Sequence, residues 1–265
     1  MEKVNGIAFC DEGVRGGAPI VLIHGFPLSH AMWAGQIGPL SKTCRVISYD
    51  VRGHGESDTA DTHVSLESFV DDLIGLLDHL KISRTAVCGL SMGGYIALRA
   101  VERYPDRFRA LILCDTKSSA DSDEAKKKRA VTAEAVKKNG VPTFADEFVK
   151  AVLTETTLKT KPELVESVKS MIRGNSVLGI SGTLRALAGR TDTTAALPKM
   201  SLPVLILVGE EDRLTPPSDA QAMMKTLPNA RMCVISGAAH LSNLENPKVF
   251  NEKLLAFIST LQGVS

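Results

Sequence analysis

The sequence has few of the features that place a protein in a membrane, on nucleic acid or outside the cell. No apolar run reaches the roughly 18 residues that a membrane-spanning helix needs, and no basic segment followed by an apolar run marks a secretory signal. Its 31 Lys and Arg residues nearly balance 30 Asp and Glu residues, so neither nucleic acid nor an anionic membrane is an expected partner. We therefore expect a soluble, cytoplasmic protein.

Cysteine is also sparse and shows no paired spacing. The five cysteines are scattered, and no C-x-x-C motif occurs. This pattern argues against a disulfide framework or a thiolate metal site, and predicts reduced thiols in or near strands.

What the chain does contain is an alternation of short apolar runs with longer amphipathic segments, typical of a mostly parallel sheet covered by helices. A strand at 6–11 follows an Asn5–Gly6 turn, and any strand before that turn must be very short. The other predicted strands are 19–23, 45–49, 85–89, 110–114, 204–209 and 232–235. The helices predicted between them are 30–40, 65–80, 91–104, 217–226 and 247–261.

One region, 117–194, breaks the alternation because only helical periodicity and polar connections occur there. The charged run Lys126–Arg129 is interpreted as a solvated helix face rather than an anion site. Asn139–Gly140 and Pro142 are expected to end the first helix. We predict a core formed by 1–116 and 195–265, with 117–194 inserted as a helical lid. The helices predicted within the insertion are 122–139, 143–154, 162–173 and 176–188.

The segment 86–98 reads as an apolar strand, then the motif Gly89-x-Ser91-x-Gly93, then a helix. A serine hydroxyl must project from the backbone and have a base to take its proton before it is a good nucleophile. A sharp strand-to-helix turn projects it, and glycine two positions before and after relieves the crowding. The same turn points the Met92 N–H toward a developing oxyanion. The alternative is a glycine turn that merely starts a helix. It would not need an apolar strand directly before the motif and a helix directly after it, so we predict that Ser91 is a nucleophile.

The loop after the strand 19–23, which contains His24, Gly25 and Phe26, is expected to supply a second oxyanion donor from the Phe26 backbone. His24 could be a base, but its place beside Gly25 favours a hydrogen bond that shapes the loop.

His240 is the predicted general base. It lies between the last predicted strand and the last helix, and α/β sheets gather ligand groups in loops at the carboxyl ends of strands. There it can take the Ser91 proton and return it to the leaving group. His30, His63 and His79 lie in or beside predicted surface helices and are interpreted as solvated.

The carboxylate that orients His240 should follow another strand, between the serine and the histidine in chain order. Asp212 is favoured because its position past the strand 204–209 lets it turn back toward His240. Glu210 and Glu211 are interpreted as solvent-facing, and Asp115 is the reserve candidate.

At these motifs the sequence resembles the bacterial α/β-hydrolase carboxylesterases, close to the branch of 3-oxoadipate enol-lactonases and small-ester esterases. The motifs that carry the resemblance are His24-Gly25-Phe26-Pro27, Asp50-Val51-Arg52-Gly53-His54-Gly55-Glu56-Ser57, Gly89-Leu90-Ser91-Met92-Gly93-Gly94, Gly209-Glu210-Glu211-Asp212 with Thr215-Pro216-Pro217, and Gly237-Ala238-Ala239-His240.

The resemblance implies a mostly parallel sheet of eight strands, or seven without the short first one, flanked by helices under a helical lid. It implies a triad of Ser91, Asp212 and His240, with Phe26 and Met92 as oxyanion donors. Dehalogenases and epoxide hydrolases of this fold carry an aspartate at the position of Ser91, so both are disfavoured. The 50–57 segment is expected to be a tight glycine turn with a structural contact between Asp50 and Arg52.

These inferences predict hydrolysis of short-chain or small aromatic esters through an acyl-enzyme, without a metal or an organic cofactor. The expected partner is a small-molecule ester, and the chain is expected to be a monomer or homodimer. Leu28, Trp33 and Leu241, with Phe26 and Met92, could line an apolar pocket, although they could equally be core.

Two alternatives stay open. Enol-lactone hydrolysis or perhydrolysis could use the same triad, and a lactonase would need a substrate carboxylate held by Arg185 or Arg190. A hydrolase-fold ligand receptor, in which hydrolysis is slow and the lid recruits a partner, is disfavoured by the complete triad.

Overall fold

The computed structural model describes residues 1–59 and 64–262, so His63, interpreted above as solvated, lies outside the described residues. The centre of the fold is one sheet of eight strands. They are β1 (Glu2–Val4), β2 (Ile7–Gly13), β3 (Ala18–Ile23), β4 (Cys44–Tyr49), β5 (Thr85–Leu90), β6 (Phe108–Cys114), β7 (Val204–Gly209) and β8 (Ala230–Ile235).

The strand order across the sheet is β1-β2-β4-β3-β5-β6-β7-β8. Only the pairs β1–β2 and β2–β4 are antiparallel among the described strands, and the remaining pairs are parallel. Strands β5 and β7 are buried along their whole length, as expected for apolar runs that face helices on both sides. The predicted mostly parallel sheet is therefore confirmed, and β1 is as short as expected.

The helices either flank the sheet or lie in the segment inserted between β6 and β7. They are α1 (Ala34–Leu40), α2 (Leu66–His79), α3 (Met92–Arg103), α4 (Asp123–Val152), α5 (Glu155–Thr160), α6 (Pro162–Arg173), α7 (Val177–Ala188), α8 (Pro217–Thr226), α9 (Ser242–Glu245) and α10 (Pro247–Gln262). The ends of α2, α3, α8 and α10 agree with the sequence prediction within one residue. For α2, the Ser65 hydroxyl accepts from the Ser68 N–H at 3.2 Å and so caps the first turn.

Helices α4 to α7 lie between β6 and β7, in the segment predicted to be a lid, and we call them the inserted helices. The long α4 contains a break at Gly140, whose φ of 81° and ψ of 165° are not helical. Pro142 follows that break, at the place where the sequence predicts a helix end. The short helix α5 was not predicted; it begins where the Thr154 hydroxyl accepts from the Thr157 N–H at 3.0 Å.

All five cysteines lie in strands, as predicted: Cys10, Cys44, Cys88, Cys114 and Cys233. Within the described residues, no helix combines the length and the apolar character that crossing a bilayer requires.

Candidate active site

The turn between β5 and α3 carries Ser91 in a strained conformation, with φ 52° and ψ −110°. A Cβ atom at Gly89 would lie 2.1 Å from the Gly93 carbonyl oxygen, and one at Gly93 would lie 2.2 Å from the Ile23 carbonyl oxygen. Both glycines are therefore required by close backbone approach, as the sequence motif predicts. The turn is held by the Ser91 N–H, which donates to the Cys114 carbonyl at 2.9 Å.

We expect Gly93→Ala to lower the free energy of unfolding by about 3 kcal/mol or more, since the added methyl group meets backbone that cannot move aside. Gly75→Ala is the matched control, because a Cβ at Gly75, inside α2, meets no atom within 4 Å. That control should stabilise the fold by up to about 1 kcal/mol. Chemical denaturation of the two variants checks the contrast, and equal stabilities would contradict it.

Two hydrogen bonds join the three residues predicted to form the triad. The Ser91 Oγ lies 2.8 Å from His240 Nε2, and His240 Nδ1 lies 2.8 Å from Asp212 Oδ2. The histidine and the aspartate are buried, whereas Ser91 is partly exposed. The structure thus brings together residues from three loops that follow three different strands.

Asp212 is held in place by the backbone of its own loop. Its Oδ1 accepts from the N–H groups of Leu214 and Thr215, at 2.8 and 3.1 Å, and its Oδ2 also accepts from the Thr215 hydroxyl at 2.8 Å. Burial opposes its ionisation, but the charge of His240 and these hydrogen bonds outweigh it and lower the pKa of Asp212. By contrast, Glu210 and Glu211 are exposed, as the sequence analysis expected.

The environment of His240 favours its protonated form. Burial lowers the pKa of the imidazole, but the negative charge of Asp212 and the hydrogen bond to it raise the pKa more, and Asp115 adds to the rise. The net result is a pKa above the ordinary value of 6.5. A base of this kind can accept a proton from Ser91 at neutral pH and hold it close to the leaving group.

The loop of His240 is tied to the inserted helices through a buried glutamate that sequence reasoning missed. Glu245 accepts from the Ala239 N–H at 2.7 Å through one oxygen and from the Thr154 N–H at 2.9 Å through the other. The His240 N–H itself donates to the Val152 carbonyl at 3.1 Å. The end of α4 and the histidine loop therefore hold each other in position.

Asp115, the reserve acid, is fully buried but forms no hydrogen bond with His240 among the described contacts. Its Oδ1 accepts from the Gly209 N–H at 2.7 Å and its Oδ2 from the Ser242 hydroxyl at 2.5 Å. Burial and the charge of Asp212 raise its pKa to about 8. Asp115 therefore joins the end of β7, before Asp212, to the segment after His240. Its contacts hold these two segments in position.

The loop after β3 lies directly against the nucleophile turn, since a Cβ at Gly25 would lie 3.6 Å from the Ser91 Cβ. His24 Nε2 accepts from the Val51 N–H at 2.9 Å, so its Nδ1 donates to the Gly25 carbonyl at 2.9 Å. Burial lowers the pKa of His24. The histidine shapes the loop, as the sequence analysis favoured.

The two expected oxyanion donors, Phe26 and Met92, flank this junction. Met92 is the first residue of α3, and the first N–H groups of a helix have no partner within it. Phe26 follows Gly25 in the loop and lines the cavity described below.

The expected contact between Asp50 and Arg52 is wrong. Arg52 instead pairs with Asp72, and its Nε donates at 2.6 Å. Asp50 accepts from the backbone and Nδ1 of His30, at 2.7 and 2.9 Å, and from the Glu56 N–H at 2.9 Å. These partners lie in other segments, which spacing within one turn cannot reveal. His30 is consequently partly buried, not fully solvated as expected, whereas His79 is exposed.

A cavity of about 540 Å³ opens above Ser91 and His240. Most of its wall comes from the inserted helices. Its apolar lining residues are Phe26, Ala125, Val131, Ala135, Val136, Phe144, Phe148, Ala151, Leu184, Leu187 and Leu214. Its charged lining residues are Lys117, Asp121, Lys128, Arg129 and Glu147. Of the inserted segment, sequence reasoning considered only Arg185 and Arg190 for substrate binding, and neither is among these lining residues.

The structure does not place Leu28, Trp33 or Leu241 on the wall of this cavity. All three are fully buried in the core, where Trp33 packs on Phe250 with ring centroids 6.3 Å apart. The core interpretation that the sequence left open is the one observed, because the inserted helices supply the pocket instead.

The arginines considered for a substrate carboxylate are not on the wall either. Arg185 is exposed on α7. Arg190 is buried, where its Nη1 donates to Asp121 Oδ1 at 2.5 Å and its guanidinium stacks over Tyr95 at 4.2 Å. Arg190 is thus already paired within the fold, with a carboxylate that it shares with Arg129.

Among the described residues, no cluster of three or more His, Cys, Asp or Glu side chains has a geometry that could hold a metal ion.

Comparisons with known proteins agree with this architecture. Residues 18–247 match the family model described as alpha/beta hydrolase fold. The chain is 31% identical to 3-oxoadipate enol-lactonase 2 of Acinetobacter baylyi over 226 residues, which are 85% of this chain and 83% of that protein.

Two solved structures are similar over nearly the whole chain. A thermophilic esterase from Thermogutta terrifontis, solved with malate bound, superposes with a TM-score of 0.92 at 38% identity, covering 96% of this chain and 93% of that one. The enol-lactonase from Burkholderia xenovorans LB400 gives a TM-score of 0.90 at 29% identity, covering 97% and 98%.

Proposed function

Because this chain belongs to the α/β-hydrolase family, we propose that it hydrolyses carboxylic esters through an acyl-enzyme on Ser91. The observation that carries the proposal is the continuous contact from Ser91 Oγ through His240 to Asp212, with both hydrogen bonds at 2.8 Å. The similarity to an esterase and to enol-lactonases supports it. The strained turn at Ser91, which projects the hydroxyl into the cavity, supports it as well.

The reaction follows from these contacts. Ser91 Oγ attacks the ester carbonyl carbon while His240 Nε2 takes the hydroxyl proton. The carbonyl oxygen becomes an oxyanion that accepts from the backbone N–H groups of Phe26 and Met92, and each such donor is worth about 3 kcal/mol. When the carbon–oxygen bond to the alcohol breaks, His240 gives its proton to the departing oxygen. Asp212 stabilises the imidazolium formed in between.

The second half repeats these steps with water. His240 takes a proton from water, the hydroxide oxygen attacks the acyl carbon, and the bond to Ser91 Oγ breaks. The serine regains its proton from His240, and the acid leaves. His240 transfers every proton in this scheme, so the proposed reaction needs no metal or organic cofactor.

The apolar lining of the cavity supports an ester with an apolar acyl group. Phe26, Phe144 and Phe148 form an aromatic group, with ring centroids between 5.5 and 6.2 Å apart, on one side of the cavity. An apolar wall of this kind binds acyl chains and aromatic rings by removing their surface from water. We therefore propose short-chain or small aromatic esters as substrates.

Enol-lactone hydrolysis is the second candidate, because cations line the same cavity. Neither Lys117 nor Lys128 forms a salt bridge within the described residues, so either could pair with a substrate carboxylate. Relatives named 3-oxoadipate enol-lactonase, at 31% and 28% identity, support this alternative. The malate in the Thermogutta terrifontis esterase shows that a dicarboxylate binds to that protein.

Steady-state hydrolysis of a p-nitrophenyl ester series from acetate to laurate, beside an anionic enol-lactone, tests the proposal. We expect the highest kcat/KM on short neutral esters, with a decline once the acyl chain outgrows the cavity. A preference of more than about tenfold for the anionic lactone, lost in Lys117→Gln, would select the lactonase. Absence of turnover on all of these substrates by folded protein would overturn both.

A further inference from the structure

A second cavity, of about 800 Å³, opens at another place on the molecule. Its charged lining residues are Arg84, Arg109 and Arg231, and no acidic side chain lines it within the described part of the chain. Phe257 and Leu261 of α10 supply apolar wall. The cavity thus combines three positive charges with a small apolar surface.

This cavity lies at the end of the sheet opposite Ser91. Arg84 immediately precedes β5, and Arg109 and Arg231 are the second residues of β6 and β8. Ser91 follows the other end of β5, which at six residues is about 20 Å long. The Arg84 Nε donates to the Phe108 carbonyl at 3.3 Å, so Arg84 stays beside the start of β6. The site is therefore separate from the cavity proposed for esters.

The fold leaves the charge of these arginines uncompensated. Most other arginines of the described chain, such as Arg45 and Arg99, pair with a carboxylate. None of the three cavity arginines does so within the described residues, and the Arg109 Nε and Nη2 are buried without a hydrogen-bond partner. Buried charged donors are normally satisfied, and a bound anion is one partner that would satisfy those of Arg109.

The mutual repulsion of the three arginines also favours a bound anion. Burial lowers the pKa of Arg109, and the nearby positive charge of Arg84 lowers it further, against an opposing effect of Cys44. Guanidinium groups remain charged even so. Three cations that face one cavity repel each other, and a bound anion removes that repulsion.

We propose that this cavity binds a small dianionic oxyanion, a phosphate or a dicarboxylate, between Arg84, Arg109 and Arg231. Both groups present oxygen atoms in the geometry that guanidinium groups recognise. Elsewhere in the same fold, Arg45 holds both oxygens of Asp11, with its Nε at 3.0 Å from one and its Nη2 at 2.7 Å from the other. The proposal does not depend on the esterase function.

Thermal unfolding at constant ionic strength, in sodium phosphate, sodium succinate or sodium chloride, tests this site. A ligand that binds only the folded chain raises its melting temperature, and we expect saturating phosphate to raise it by about 2–5 °C over chloride. An equal rise with succinate assigns the site to dianions in general, whereas a rise with phosphate alone assigns it to phosphate. No rise with either anion overturns the proposal.

Variants locate the effect. Arg84 and Arg231 are exposed, so the double variant Arg84→Gln, Arg231→Gln should fold and should lose most of the rise. Arg15→Gln removes another exposed arginine outside the cavity and should keep the full rise. A rise that persists in the double variant places the anion elsewhere and overturns the proposal. Ester turnover by the double variant should stay within about twofold of wild type, because the cavity is remote from Ser91.

Discussion

Replacing Ser91 by alanine is expected to lower kcat for p-nitrophenyl butyrate by about 10⁴-fold or more. The substitution removes the oxygen that lies 2.8 Å from His240 Nε2, so no acyl-enzyme can form. Water attack assisted by His240 and the oxyanion donors would leave a small residual rate. Steady-state assays, with a burst of p-nitrophenol in wild type only, measure the loss.

Two controls separate loss of chemistry from loss of fold. Alanine keeps the Cβ at this strained position, so the melting temperature of Ser91→Ala should match that of wild type. Ser259→Ala, which alters an exposed serine on α10, should keep full activity. If folded Ser91→Ala hydrolyses the ester at the wild-type rate, Ser91 is not the nucleophile.

Much of the fold could be predicted from the sequence because the signals are local. Strands that are apolar on both faces, such as β5 and β7, can bury all of their apolar surface only inside a sheet that is covered on both sides. Gly140 and Pro142 interrupt the helical backbone, and this effect does not depend on how the neighbouring helices pack. The six-residue α5 was missed because so short a helix depends on its cap more than on periodicity.

The contacts among Ser91, His240 and Asp212 could also be predicted, since parallel strands deliver their carboxyl ends to one edge of the sheet. Their catalytic roles remain predictions for the experiments above. The buried Glu245, which joins the histidine loop to Thr154, was not predictable because its partners are distant in sequence.

The lining of the pocket was the least predictable feature. The sequence pattern does not distinguish an apolar side chain that faces a cavity from one that is buried in the core. Trp33 faces Phe250 in the core, whereas Phe144 and Phe148 of α4 face the cavity. The rotation of α4 about its own axis decides which side chains face the cavity. That rotation is set by packing against α6 and α7 rather than by local pattern.

Replacing Asp212 by asparagine should lower kcat by about 10³–10⁴-fold, the second largest loss expected. The amide removes the charge that stabilises the His240 imidazolium. Its N–H can also donate to Nδ1, which favours the tautomer with the proton on Nε2, and that tautomer cannot accept the Ser91 proton. Glu211→Gln is a matched control, because it deletes a neighbouring but exposed carboxylate and should keep wild-type activity. Equal activity of the two variants would remove Asp212 from the triad.

The pH dependence gives a second readout of the same residue, one that damage to the fold would not reproduce. Only neutral His240 accepts the Ser91 proton, so kcat/KM of wild type should fall as the pH drops through a pKa above 6.5, the ordinary value. The charge of Asp212 raises that pKa, whereas burial lowers it. In Asp212→Asn, burial still lowers the pKa of His240, and only the smaller effect of Asp115 still raises it. The acid limb of the residual activity should therefore move to lower pH, and an unmoved limb would show that Asp212 does not set the basicity of His240.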